Sequence, residues 1–364
     1  MSDRWTEFHR RISAWYATGE VERLQLVELY QEATDCHETD LDRSFALYTR
    51  GRDEARRLSE PWWELFFESW RLNSLTSHAM NYARALPLAM ELMVLFNAPQ
   101  GQSHDDRNMV LDNVLYTYIN IDPFGYRNEI ERGITYLNGL IEQGPAGERF
   151  VLNHRQMSYL SATVRWGEAY DLALHTLALV DQVTAEHTRN WHGSWTLYQL
   201  CRICHTTGRI NELSGHAEHL EELSKNQSHL RRAHADAHFW QAVTQRAAGD
   251  ERLASRAYQK GLRLLKDLAR RDTICADPMA AYLEASHDLQ AALTIRDREL
   301  EEVTKNGMLH RGCQIQVERC RLLKRLDKLT TPDLEAARDR AGKLRTPEHF
   351  LQLISRIENE AASG

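Results

Sequence analysis

The chain has 364 residues with 42% hydrophobic and 27% charged content and only 8 prolines and 18 glycines, the balance of a soluble globular protein without long disordered linkers. Its formal net charge of -7 argues against a nucleic-acid or anionic-membrane partner held by bulk electrostatics. No apolar run approaches the roughly 18 residues of a bilayer span, the first residues lack the apolar core of a signal peptide, and six cysteines over this length make no dense disulfide framework; the expectation is a cytoplasmic protein with reduced thiols.

Almost every segment carries apolar residues at helical spacing, and none alternates as a strand does. Residues 1–60 give long amphipathic helices without the basic clustering of a DNA-binding helix. Arg52 to Leu58 ends one of these, and Pro61 starts the next. Tyr82, Ala85 and Ala89 stripe a further helix. The helix before Gly125 is apolar nearly all round, through Val114, Leu115, Tyr118, Ile119 and Ile121, and should be deeply buried. Its successor carries Ile130, Ile134 and Leu137.

Gly125, Gly167, Gly208 and Gly249 follow at intervals of 42, 41 and 41 residues, each taken as closing one helix and opening the next. Between them the faces separate at 100° per residue. Met157, Leu160, Ser161 and Val164 share one side, with Arg155, Tyr159, Ala162 and Arg165 opposite; Tyr170, Ala173, Leu177 and Val180 stripe the partner helix. One unit later Leu197, Leu200, Cys201 and Cys204 oppose Trp195, Tyr198, Arg202 and His205, and Ile210, Leu213, Ala217 and Leu220 follow. Two such helices joined by a tight turn form an antiparallel hairpin. In the next unit, the register set by Gly249 turns Asp236, Phe239, Val243 and Arg246 outward and packs His238, Gln241 and Gln245. Slipping by one buries Phe239 and Val243, and both registers leave Trp240 near the open side. Asp277, Thr331 and Thr346 each precede a proline and are expected to cap helix starts. Leu289, Ala292 and Leu293, then Leu334, Ala337, Ala341 and Leu344, continue the array, and Glu348 to Glu360 forms a closing helix with a polar outer face. The count is about seven hairpins plus caps, divided as 1–60 capping helices and first repeat, 61–345 repeat array, and 346–364 C-terminal capping helix.

Ala254-x-x-x-Tyr258 after Gly249-Asp250, and Trp166-Gly167-Glu168-Ala169-Tyr170 with one residue inserted, resemble the small-residue and aromatic pattern of the tetratricopeptide-repeat family. The first-helix tryptophan is replaced by Leu197 or His238, the closing proline is mostly absent, and the repeat is longer than the family's 34 residues. The resemblance implies an all-α fold, a right-handed superhelical solenoid of antiparallel helix hairpins. It also implies a non-enzymatic scaffold that binds a protein or peptide in a concave groove lined by first helices.

The groove expected on that basis carries Arg155, Tyr159, Arg165, Trp195, Tyr198, Arg202, His205 and Trp240. Guanidinium groups bind carboxylates bidentately while rings bury apolar side chains, so the partner expected is a protein or peptide, acidic or carboxylate-ended. The alternative is a regulator gated by a small ligand or signal peptide in the same groove. The sequence leaves the oligomeric state open.

The sequence carries no complete catalytic or metal motif. Cys201-Arg202-Ile203-Cys204-His205 has haem-attachment spacing, and Cys201, Cys204, His216 and His219 approach zinc spacing, but both cysteines complete an apolar helix face. His234 and His238 lie four apart with no third ligand in the sequence to complete a hydrolytic motif. There is no phosphate-binding glycine loop and no nucleophile elbow. The expectation is therefore no enzyme, no metal and no cofactor.

Overall fold

The computed structural model of the protein describes residues 4–36, 40–141, 146–266 and 275–362. Among them are nineteen α-helices and no strand, and helices pack chiefly on their neighbours in sequence. The chain divides into two compact units, one of residues 1–121, 128–137 and 306–308, the other of 122–127, 138–305 and 309–364.

The first unit contains α1 (Arg4–Thr18), α2 (Gln25–Cys36), α3 (Leu41–Arg57), α4 (Pro61–Asn73), α5 (Tyr82–Asn97), the short α6 (Pro99–Gln102), α7 (Arg107–Ile121) and residues 128–137 of α8 (Arg127–Ile141). Its core is aromatic. Phe8 meets Tyr30, Trp63 and Phe66 with centroids 5.0–5.6 Å apart, and Trp15 stacks on Trp63 at 5.2 Å. Pro61 occupies the first turn of α4, where its missing N–H is not needed. Buried side chains run all round α7, including Val114, Leu115, Tyr118, Ile119 and Ile121, as its apolar circumference implies.

The second unit holds α9 (Ala146–Ala162), α10 (Trp166–Val180), α11 (Glu186–Thr206), α12 (Ile210–Ser224), α13 (Arg231–Ala247), α14 (Glu251–Leu265), α15 (Ala276–Ala285), α16 (Leu289–Lys305), α17 (Leu309–Arg325), α18 (Thr331–Ala341) and α19 (Glu348–Ala362). Helices pair as hairpins α9/α10, α11/α12, α13/α14, α15/α16 and α17/α18, and α19 packs on the last of them. First helices also touch in succession, α9 on α11, α11 on α13 and α13 on α15.

One turn recurs. At Gly19, Ser59, Val164, Gly208, Gly249, His287 and Asp327 the backbone is left-handed, and the residue after each donates its N–H across the turn to a carbonyl five residues back at 2.8–3.0 Å. That bond satisfies a carbonyl the helix end leaves orphaned. Glycine occupies only three of the seven positions, so the glycine spacing follows the turns imperfectly. Gly167 lies in the first turn of α10, not at a helix end. Gly125 sits in the turn before α8, where an added Cβ would collide with Asp122 and the Arg345 side chain. That approach belongs to a contact outside the neighbour-to-neighbour pattern: Asp122 accepts the Arg345 and Thr346 N–H groups at 2.7 and 3.2 Å.

The helix starts are shifted by a residue or two from the proline rule. Thr330, not Thr331, caps α18 in a reciprocal pair with Asp333, and α19 begins at Glu348. Cys275 precedes α15 in a left-handed conformation, which places Asp277 inside its first turn.

Candidate binding face and its charge cluster

Helix α11 is the centre of the candidate site. Leu197, Leu200, Cys201 and Cys204 are fully buried in one core with Met157, Ala173, Ala217 and Leu220. Burial pushes the Cys204 thiol up to about 11 and that of Cys201 well above its ordinary value, which leaves both as small hydrophobes. The opposite strip is Trp191, Trp195, Tyr198, Arg202 and His205: Trp191 is exposed and the other four are half-buried.

Trp195, Tyr198 and Arg202 each rest on a neighbouring group. Trp195 stacks on the buried ring of His154 from α9, centroids 5.1 Å apart and planes at 21°, and Tyr198 meets Trp195 edge-on at 6.1 Å. Burial drives the His154 imidazole down to about 3, so the ring beneath Trp195 is neutral. Burial pushes the Tyr198 phenol up to about 12. The Arg202 guanidinium lies 5.7 Å from the Tyr198 ring centre, a distance at which the ring quadrupole attracts it.

Arg202 ends this strip inside a charge cluster. Its Nε donates to Asp277 Oδ2 at 3.1 Å. Asp277 Oδ1 accepts from Arg296 Nη1 at 2.8 Å and from Arg311 Nη2 at 2.5 Å. Arg296 and Arg311 both donate to Glu299, at 2.6 and 2.5 Å, and Arg296 Nε lies 2.8 Å from Glu318. Three arginines thus face three carboxylates, from α11, α15, α16 and α17. Side-chain exposure is 7–8% at Glu299 and Arg296, 17–19% at Arg311 and Asp277, 27% at Arg202 and 34% at Glu318. Burial alone would raise the Asp277 carboxyl, but Arg311, Arg296 and Arg202 overcome it and hold it well below the usual carboxylate range. At Glu318 burial wins and the carboxyl is raised.

The expected groove residues therefore divide. Arg155, Trp195, Tyr198, Arg202 and His205 are half-buried on α9 and α11. Tyr159 is 2% and Trp240 1% exposed, so neither lines an open face. First helices of the array pack on hairpins to both sides, and the buried arc exceeds half of the helix. Trp240 joins the apolar core and donates Nε1–H to the buried Asp236 at 2.9 Å. On α13 burial runs round most of the helix: Phe239 and Val243 are buried, as the slipped register has it, and so is His238, which the other register packs. Arg165 is not on α9, which ends at Ala162. It stands in the turn before α10, paired with Glu168 at 2.5–2.7 Å.

The acidic half of the cluster and two of its arginines were not picked out from sequence. A signal was present: Arg296 and Glu299 interrupt the apolar stripe of Ala292, Leu293, Ile295 and Val303, and Arg311 and Glu318 stand seven apart on one face of α17. Charges at core-facing positions require partners. Comparison with protein-family models finds no match, and comparison with the curated proteins finds no relative.

Proposed function

We propose that the second unit is a tetratricopeptide-like array, its hairpins winding as a right-handed superhelix, and that it acts as a scaffold binding a protein or peptide segment along α11. The observation that carries the binding reading is the strip Trp191, Trp195 and Tyr198, three aromatic residues in succession on one helix face, the first 45% exposed and the second braced by His154. Exposed rings held rigid lose little entropy on contact and bury much apolar area. Successive hairpins with packed first helices and a shared turn support the repeat reading.

The arrangement changes what the ligand should be. Arg202 already neutralises Asp277, and Arg165 pairs with Glu168, so an incoming carboxylate would compete with one already held at contact distance. Affinity then rests on aromatic and aliphatic side chains of the ligand, with carboxylates secondary. A displayed peptide library panned on the purified chain tests this. Selected peptides should carry an apolar anchor, and binding should drop at least tenfold in Trp195→Ala and Tyr198→Ala while the thermal melt moves by a few degrees. An empty selection, or binding indifferent to both changes in folded protein, would overturn the proposal.

A further inference from the structure

His234 and His238 stand four apart on α13, and the fold brings a third ligand to them. Glu221 of α12 lies across the helix pair, so that one ligand atom from each of Glu221, His234 and His238 lies within 4.8 Å of the others. The turn joining α12 to α13 hides this in the sequence, because Glu221 belongs to the preceding hairpin.

Hydrogen bonding fixes the orientation of two of the three groups. Gln241 Nε2 lies 2.6 Å from Glu221 Oε2, and a carboxylate only accepts, so the amide NH2 must face it. The Gln241 carbonyl oxygen then faces His238 Nδ1 at 3.0 Å, which makes Nδ1 the donor and, in the neutral ring, leaves Nε2 with its lone pair. His238 Nε2 lies 3.8 Å from Glu221 Oε1. Two acceptors face each other at a distance too long for a hydrogen bond, beside the His234 ring, whose centroid is 4.8 Å from that of His238. A cation between them resolves the arrangement. The bond from the second ring nitrogen to a neighbouring oxygen is the usual way a metal-binding histidine is oriented.

We propose that Glu221, His234 and His238 form a binding site for a zinc-class divalent transition-metal ion, with Gln241 as the positioning residue. Two imidazoles and one carboxylate suit zinc, and three protein ligands leave a fourth position for water. Zinc–ligand bonds of about 2.0–2.2 Å put ligand atoms roughly 3.2–3.6 Å apart in a tetrahedron, so a spacing of up to 4.8 Å must contract by at most about 1.6 Å. Glu221 and His234, both half-buried, can make that movement, while His238, with its side chain 5% exposed, stays fixed. The same half-exposure supplies the entry path. The Lys260 ammonium acts on both Glu221 and His234 and already offsets part of the carboxylate charge, so its removal should tighten binding.

Chelator-treated full-length protein is titrated with Zn2+ by calorimetry and weighed by native mass spectrometry. One ion per chain is expected, with His234→Ala and Glu221→Gln each weakening it at least 100-fold and Gln241→Met about tenfold. His234 is half-exposed, so its variant should keep the parent melting temperature. Co2+ in place of zinc should give visible d–d bands without the near-ultraviolet charge transfer of a cobalt thiolate, which separates this site from Cys201 and Cys204. The absence of saturable one-to-one binding, a thiolate band, or full affinity in both His234→Ala and Glu221→Gln would each overturn the assignment.

Discussion

Replacing Arg311 by methionine should expose how the charge cluster is balanced. The guanidinium reaches Asp277 at 2.5 Å and Glu299 at 2.5 and 2.9 Å, with 17% of its side chain exposed. Its loss leaves Arg202 and Arg296 against Asp277, Glu299 and Glu318. Breaking a buried pair from one side costs about 3–5 kcal/mol, because a charge stays behind without its partner. The lower end applies here, since Arg296 still holds Glu299 at 2.6 Å and Glu318, already raised by burial, can take up a proton. That escape fixes the pH dependence. Arg311 is one of the charges that lower the raised Glu318 carboxyl, so its removal lifts that group further and the variant's extra loss grows as pH rises from 5 to 8. Adding Glu299→Gln restores the count of two arginines to two carboxylates and should recover about 2 kcal/mol. Urea titrations of the four proteins of this cycle, at pH 5 and pH 8, measure all of it. A loss below about 1 kcal/mol at pH 8, or strict additivity of the two changes, would refute the cluster as a coupled unit.

Three further substitutions test the interior and the turns. Burial raises the Asp236 carboxyl to about 7 against an ordinary 3.8, opposed by hydrogen bonds from Cys275 and Trp240. Its folded pKa is the higher one, so its contribution is complete at low pH and is lost as pH climbs from about 4 to 7, by up to about 4 kcal/mol at 1.36 per unit. His154 and His310, both driven down to about 3 by burial, act oppositely below pH 6.5 in both proteins and cancel in the difference between wild type and Asp236→Asn; parallel stability curves for the two would rule out the assignment. Val164 is left-handed at φ 64° and 45% exposed, a conformation a β-branched residue resists, so Val164→Gly should stabilise by about 0.5–1 kcal/mol after the entropy of a freer unfolded chain is subtracted. Gly208→Ala, at φ 75° with open space around it, should destabilise by about 1 kcal/mol; the opposite order of melting temperatures would contradict the turn assignment.

What the sequence shows of this molecule is the part governed by local periodicity. Leu197, Leu200, Cys201 and Cys204 fall on one face of α11 at 100° per residue and are all buried, because one packed face imposes one apolar stripe. The same reasoning fails at Tyr159 and Trp240, where the helix packs on two sides and an aromatic opposite the stripe is core as well. Glycine spacing finds the turns only where glycine occupies the left-handed position; His287 and Asp327 serve the same geometry with side chains that tolerate it less freely. The charge cluster is the least legible feature. Arg202 and Asp277 are 75 residues apart, and nothing in an i,i+3 pair such as Arg296 and Glu299 says that both point inward. Glu221 is hidden for the same reason: its helix face is known from sequence, but its partners on α13 follow only from how two hairpins meet.

The positions of these features suggest a division of labour along α11. Apolar surfaces between hairpins tolerate sliding, because dispersion and burial are not directional. Arg202 and Arg311, converging on one carboxylate from helices on either side of α15, do not tolerate it: a shift of an ångström or two would break several short contacts at once and leave charges without partners. The cluster thus fixes register between hairpins that are not neighbours, at little or no net gain in stability over an apolar replacement. It also commits Arg202. A charge change there would disturb folding and recognition together, so loss of binding in such a variant would not locate a ligand. Trp195 and Tyr198, one to two turns earlier on the same face, rest on ring contacts outside the carboxylate cluster, and are the positions where a change in the proposed binding can be separated from a change in fold.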